Sequence, residues 1–151
     1  MPTVRLETYI DAPVERCFDL ARDVFAHQQS FEHTGERVVD GPSSGLLELG
    51  DTVTWEGTHL GVKQRLTVRI TELERPHRFV DVMVRGAFKA FTHVHEFVPR
   101  AGGTLMIDTF RYTAPLGLLG RLASALFLQR YMRRLLHGRA LHLKQAAEAN
   151  G

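Results

Sequence analysis

The sequence predicts an α+β domain in which a curved antiparallel sheet closes around a long C-terminal helix. Apolar and polar residues alternate from Thr3 to Ile10, as in a half-buried strand. Alternating segments separated by short turn sequences then fill the region from Asp51 to Thr113, which is typical of an antiparallel meander. After Pro115 the apolar period becomes helical and continues to about Ala147. A helix of that length must lie across the sheet to bury its apolar side.

Two short helices are predicted between the first strand and the meander. Pro13 suits the first turn of a helix, and the apolar residues from Val14 to Ala21 follow at helical spacing. A second helix is predicted from Val24 to about Ser30, followed by a Gly-Pro-Ser-Ser-Gly loop at residues 41–45. The predicted strands of the meander are Asp51–His59, Val62–Leu73, Phe79–Arg85, Ala87–Val98 and Thr104–Thr113.

Composition limits the class of protein. The 151 residues contain no internal repeat or linker, so we expect one domain over residues 1–151. Hydrophobic residues make up 44% and charged residues 24%, a globular balance, and a net charge of +2 does not indicate a nucleic-acid partner. The single cysteine, Cys17, excludes an internal disulfide. Because no basic start precedes an apolar run, we expect no signal peptide and a cytoplasmic location.

The predicted inner face of the sheet mixes aromatic and polar side chains. Side chains alternate across a strand, so the strand from Ala87 to Val98 puts phenylalanines and histidines on one face. A four-residue turn from Arg100 to Gly103 would pair Phe97 with Met106 and His95 with Asp108, and the alternative is a bulge at the two glycines that shifts the register by one residue. Each unpaired buried polar group costs about 1–3 kcal/mol. A cavity that holds a ligand therefore explains this face better than a solid core does.

We accordingly predict an internal pocket of at least about 300 Å³ for a small apolar ligand. Its walls and polar contacts come from the strands and from the long helix. The predicted lining residues are Trp55, His59, Gln64, Leu66, Phe79, Asp81, Met83, Phe91, His93, His95, Phe97, Asp108, Phe110 and Phe127.

Three segments resemble the polyketide cyclase and START-related superfamily, SRPBCC, whose fold is the helix-grip fold. These segments are Ile10–Phe18, Ile70–Leu73 before Pro76, and Phe97–Pro99 leading into Gly102-Gly103-Thr104. The resemblance covers nearly the whole chain and is greatest to small bacterial members. It implies a seven-stranded sheet that grips the C-terminal helix around a pocket for lipids, sterols, polyketides or other apolar molecules. It implies no particular catalytic residue, since the superfamily contains carriers and sensors as well as cyclases. One cysteine cannot hold the iron–sulfur cluster of the oxygenase relatives.

The pair His93 and His95 also allows two kinds of chemistry. A histidine oriented by a carboxylate has a pKa near neutrality and could enolise a ketone, as a cyclase or aromatase requires. Catalysis of that kind is the alternative to simple binding. Two imidazoles on one strand face could instead chelate a metal, with Asp108 or His59 as a third ligand. Because no cysteine cluster or His-Glu-x-x-His motif accompanies them, we expect no metal and no other cofactor.

The start of the long helix carries leucines on the side that is basic further along. Leu119, Leu122 and Leu126 share this side with Arg130 and Arg133. Leaving three leucines in water forgoes about 1.5–3 kcal/mol each. We therefore expect the short helices of the same chain to cover them. A homodimer contact is the next alternative and a membrane surface the last, so a monomer, a homodimer and an interaction module all stay open.

Overall fold

A seven-stranded antiparallel sheet forms the body of the computed structural model, which describes residues 2–115, 117–123 and 127–149. The spatial order is β1-β7-β6-β5-β4-β3-β2, so the first strand along the chain pairs with the last. The strand number agrees with the resemblance described above. The strands are β1 (Thr3–Ile10), β2 (Arg37–Asp40), β3 (Thr52–His59), β4 (Val62–Glu74), β5 (Arg78–Arg85), β6 (Ala90–Arg100) and β7 (Gly103–Thr113).

The helices also follow the expected order. The short helices α1 (Val14–Ala21) and α2 (Val24–Ser30) come directly after β1, and a 3₁₀ turn over Glu32–Thr34 leads into β2. The C-terminal part contains α3 (Gly117–Ala123) and α4 (Gln129–Ala149); residues 124–126, inside the single long helix that we predicted, lie outside the described residues. One face of α4 is buried at helical spacing, through Met132, Leu136, Ala140, Leu143 and Ala147.

The predicted register of the β6–β7 hairpin is confirmed. Phe97 lies opposite Met106 and His95 opposite Asp108. Arg100 pairs with Gly103, so the loop has two residues, Ala101 and Gly102, and both have positive φ angles of 51° and 81°. Tight hairpin loops of this kind match the right-handed twist of the strands. The loop therefore holds the register without a bulge.

The edge strand β2 was not predicted. It has four residues and pairs with β3, with Val38 opposite Trp55. A strand this short, with two adjacent valines as its apolar content, offers no alternation by which to recognise it. Its position matters because it places Glu36, the residue just before it, beside the interior of the domain.

The expected cover over the leucines of α3 is absent. The described leucines Leu118, Leu119 and Leu122 are between 59 and 79% exposed, and Leu126 lies outside the described residues. The expectation was wrong because α2 packs on α1 and α4 instead, with Phe31 buried and Phe25 exposed. Among the described residues, no helix combines the length and apolarity needed to cross a membrane.

Candidate ligand-binding site

Two adjoining chambers lie between the sheet and α4. The His93 chamber has a volume of about 130 Å³ and the Gln64 chamber one of about 190 Å³. Neither alone reaches the predicted volume of about 300 Å³. The residues that line both chambers are Glu36, Trp55, His59, Leu66, Phe88, Met132 and Leu135.

Most of the predicted lining residues do face a chamber. Trp55, His59 and Leu66 line both, and Gln64 lines the chamber that we name after it. Six more of the predicted residues line the His93 chamber: Phe79, Asp81, Phe91, His93, His95 and Phe110. The strand faces assigned from alternation are therefore correct across β3, β4, β5, β6 and β7 at these positions.

Four predicted residues do not line either chamber. Phe97 is buried against Phe18, at a ring distance of 5.4 Å, and Asp108 lies behind the two histidines. Met83 is half-buried beside Gly86 and pairs with Val68, between the two irregularities that shift the register of β4 against β5. Phe127 is 53% exposed and its ring stacks loosely against Tyr131 at 6.5 Å.

Several lining residues were missed by sequence reasoning. Glu36 comes from the residue just before the unpredicted strand β2, His27 from helix α2, and Phe88 from the bend before β6. Arg139 lies on the apolar face of α4, between Leu136 and Leu143, and is almost fully buried. A cation inside an apolar helical stripe was the signal that could have identified Arg139 as a partner for a buried carboxylate.

A buried network of charged side chains forms one wall of the His93 chamber. His93 Nε2 lies 3.0 Å from Asp108 Oδ1, and His95 Nε2 lies 2.7 Å from Asp81 Oδ2. His95 Nδ1 and Arg139 Nη1 also approach Asp108 Oδ1, at 3.3 and 3.4 Å. Both histidines face inward, as their alternation with Phe91 and Phe97 predicts, and each is hydrogen-bonded to one of these aspartates. Asp108 is the centre of the network.

The network sets the protonation states of its members. Burial would raise the pKa of Asp108, but hydrogen bonds from His93 and His95 hold it well below its usual value. Burial would likewise lower the pKa of His95, but hydrogen bonds to Asp108 and Asp81 raise it. For His93, burial and the charge of His95 together lower the pKa. The directions of these shifts favour the ionised form of Asp108, the protonated form of His95 and the neutral form of His93.

The side chains of Asp81, His93 and His95 also satisfy a spacing that metals use. One ligand atom from each lies within 4.8 Å of the others. His95 Nε2 is hydrogen-bonded to Asp81, its Nδ1 lies 3.3 Å from Asp108 Oδ1, and its pKa is raised. A metal would have to displace that proton and compete with the Arg139 guanidinium. The arrangement favours a protonated hydrogen-bond network.

A second polar cluster lies against Trp55. The His27 ring stacks on the Trp55 ring with centroids 3.9 Å apart, and His27 Nε2 lies 3.2 Å from Glu36 Oε2. Nearby, His59 Nδ1 and the Tyr131 hydroxyl are 2.7 Å apart, and burial lowers the pKa of His59. The chambers thus combine an apolar lining with two separate groups of polar atoms.

The chain belongs to the polyketide cyclase/dehydrase and lipid transport family, whose model matches residues 1–148. The sheet order and the helices match the helix-grip architecture of that superfamily. The family assignment inferred from the three sequence segments is confirmed. Among curated proteins, none matches the sequence significantly.

Solved structures share the fold at low sequence identity. The protein TTHA0849 from Thermus thermophilus is 24% identical, with a TM-score of 0.80 over 99% of both chains. Ms6760 from Mycobacterium smegmatis is 21% identical, with a TM-score of 0.72 over 99% of this chain and 92% of that one. Major latex-like protein 151 from Panax ginseng is 13% identical, with a TM-score of 0.68 over 97% of both.

Proposed function

We propose that residues 1–151 form a single domain that binds a small apolar ligand between the sheet and α4. The main support is the pair of chambers, whose shared lining is aromatic and aliphatic apart from Glu36 and His59. Apolar concavities with a few convergent polar groups are the usual form of a ligand site. Family membership supports the same class of cargo, and the buried single cysteine fits a protein of the reducing cytoplasm.

The chamber volumes indicate the size of the ligand. An apolar cavity of about 150 Å³ in another protein is large enough for benzene. Chambers of about 130 and 190 Å³ that share a lining therefore suit a molecule with about two rings, or an aliphatic chain of similar volume. A two-ring hydrocarbon is the simplest probe of the proposal.

Naphthalene is expected to bind and to change the fluorescence of Trp55, the only tryptophan in the chain. The indole is buried and lines both chambers, so a bound ring must contact it or lie close to it. Leu135→Phe places a larger side chain in the lining of both chambers, which reduces the space for a ligand. We expect it to weaken naphthalene binding by about tenfold or more. The matched control is Leu141→Phe, on the exposed side of α4.

Native mass spectrometry of the purified protein tests the same proposal independently through a co-purified apolar molecule. The proposed site is contradicted if the parent protein does not bind naphthalene. It is also contradicted if Leu135→Phe and Leu141→Phe weaken naphthalene binding equally. Thermal unfolding of both variants checks that each remains folded.

Acid–base catalysis is a second candidate function, favoured by the opposed pKa shifts of the two histidines. Neighbouring groups whose pKa values are pushed apart are typical of acid and base pairs. The pKa of His93 is lowered and that of His95 is raised, and their rings stack with centroids 3.8 Å apart. Within the described part of the chain, His93 is hydrogen-bonded through Nε2 alone. Its Nδ1 is therefore the nitrogen that could accept a proton from a ligand.

The two-ring ketone 2-tetralone tests this function by exchange of its α-proton in D₂O. His93 Nδ1 would take the proton, the C–H electron pair would form the enolate, and a solvent deuteron would replace the proton. We expect exchange about a hundredfold faster than in buffer, and a return to the buffer rate in His93→Gln. His77→Gln, at an exposed histidine, is the control. Exchange followed by NMR at the buffer rate in the parent protein would exclude this function for ketones of this size.

A further inference from the structure

Glu36 is a buried carboxylate for which the described residues provide no hydrogen bond. It lies between the 3₁₀ turn and β2 and lines both chambers. Its side chain is 9% exposed, and Oε2 is buried without a hydrogen-bond partner among the described residues. Buried polar atoms are almost always hydrogen-bonded, so an exception of this kind calls for a partner.

His27, which faces Glu36, also has a buried polar atom for which the described residues offer no hydrogen-bond partner. Its Nε2 is buried and also lacks a hydrogen-bond partner in the described part of the chain. The two atoms are 3.2 Å apart, but they are not aligned for a hydrogen bond with each other. Stacking on Trp55 and contact with Phe31 hold the imidazole in this orientation.

The arginines that line the chambers are engaged elsewhere. Arg22 is bonded to Asp19, and Arg139 to Asp108 and to a backbone oxygen. Arg65 is bonded to Glu56. Each of these guanidinium groups already has an anionic partner, so Glu36 is left to accept from a group that enters the chamber.

We infer, building on the proposed binding function, that the apolar ligand carries a hydroxyl group that bridges Glu36 and His27. The hydroxyl proton is donated to Glu36 Oε2, and the hydroxyl oxygen accepts from His27 Nε2–H. A hydroxyl fits because it is both donor and acceptor. A carboxylate ligand would be repelled by Glu36. The Nε2–H tautomer of His27 requires an acceptor, which an ammonium group lacks. The flat Trp55–His27 stack beside the pair favours a hydroxylated aromatic ring.

Calorimetry with 2-naphthol and 2-methoxynaphthalene tests the inference, because the two probes share a ring system and differ in the donor. We expect the parent protein to bind 2-naphthol about tenfold or more tightly than 2-methoxynaphthalene, the usual effect of a hydrogen bond to a charged group. In Glu36→Met this preference should disappear, so that the ratio of the two affinities falls to about one. His27→Phe, which retains the stacked ring, should reduce the preference in part. Glu74→Met, at an exposed glutamate, is the matched control.

The outcomes separate this inference from the proposed function. If the parent protein binds both probes equally, the hydroxyl bridge is excluded, water satisfies Glu36, and the binding function stands. If neither probe nor naphthalene binds, the proposed function itself fails. A preference for 2-naphthol that persists in Glu36→Met would place the hydroxyl elsewhere and overturn the inference. Should Glu36→Met prove unfolded by circular dichroism, Glu36→Gln removes the charge at nearly constant shape and should also lower the preference.

Discussion

Replacing Asp108 with asparagine is expected to lower the free energy of unfolding by about 3–5 kcal/mol. Asp108 is buried and lies within 3.4 Å of His93, His95 and Arg139. Removing its charge leaves the buried Arg139 guanidinium and the two histidines with Asp81 as the one remaining carboxylate of the network. Urea denaturation followed by circular dichroism measures the change.

Asp40→Asn, at an exposed aspartate at the end of β2, is the control and should change stability by less than about 0.5 kcal/mol. The double variant Asp108→Asn with Arg139→Met should lose less than the sum of the two single losses, because the second change removes one uncompensated cation. Additive losses, or a loss below about 1 kcal/mol for Asp108→Asn, would mean that the network does not stabilise the fold as described.

The same carboxylate makes the parent protein sensitive to acid. The pKa of Asp108 is well below its ordinary value of 3.8 in the folded state, so the unfolded chain binds a proton first as the pH falls. Its stabilising contribution is therefore complete above pH 3.8 and decreases below it. In Asp108→Asn this part of the pH dependence should be missing, which distinguishes loss of the charge from a general loosening of the core.

Phe18→Ala is expected to cost about 3–5 kcal/mol of stability. Phe18 is fully buried on α1, and its ring meets the rings of Phe79 and Phe97 edge-on at 5.4 Å each. Phe79 in turn stacks on His95 at 4.1 Å. The substitution therefore opens a void between α1 and the strands that carry the charged network. Thermal and urea unfolding monitor the loss.

Phe25→Ala is the matched control, since Phe25 lies on the neighbouring helix α2 but is mostly exposed. Its removal should change stability by about 0.5 kcal/mol or less. Similar losses for the two variants would show that α1 is not anchored to the sheet through Phe18.

The fold could be predicted from the sequence where apolar and polar residues alternate over a long segment that ends at a clear turn sequence. Strand alternation and the short turn around Ala101 and Gly102 were sufficient to place His95 opposite Asp108. The family motifs supplied the strand count. The interior face could be assigned because one face of each strand is buried, and a slip of one residue would expose all of it.

The rest depended on packing that no local pattern records. Glu36 enters the site because β2 forms an edge strand of four residues, and Arg139 because α4 meets the sheet at Asp108. The described leucines of α3 stay exposed because α1 and α2 pack on each other and on α4. Each of these outcomes is set by the relative placement of whole elements.

The pairing of the first strand with the last has a consequence for synthesis on the ribosome. Ile10 pairs with Thr104 and Thr3 with Arg111, so β1 is made about a hundred residues before its partner strand. The ribosome adds about 5–20 residues per second. The apolar side chains of Val4 and Ile10 therefore stay without their β7 partner for about five seconds or more after they are made. The sheet cannot close co-translationally until nearly the whole domain has emerged. Folding of the domain is therefore a late event that depends on contacts between residues far apart in the sequence.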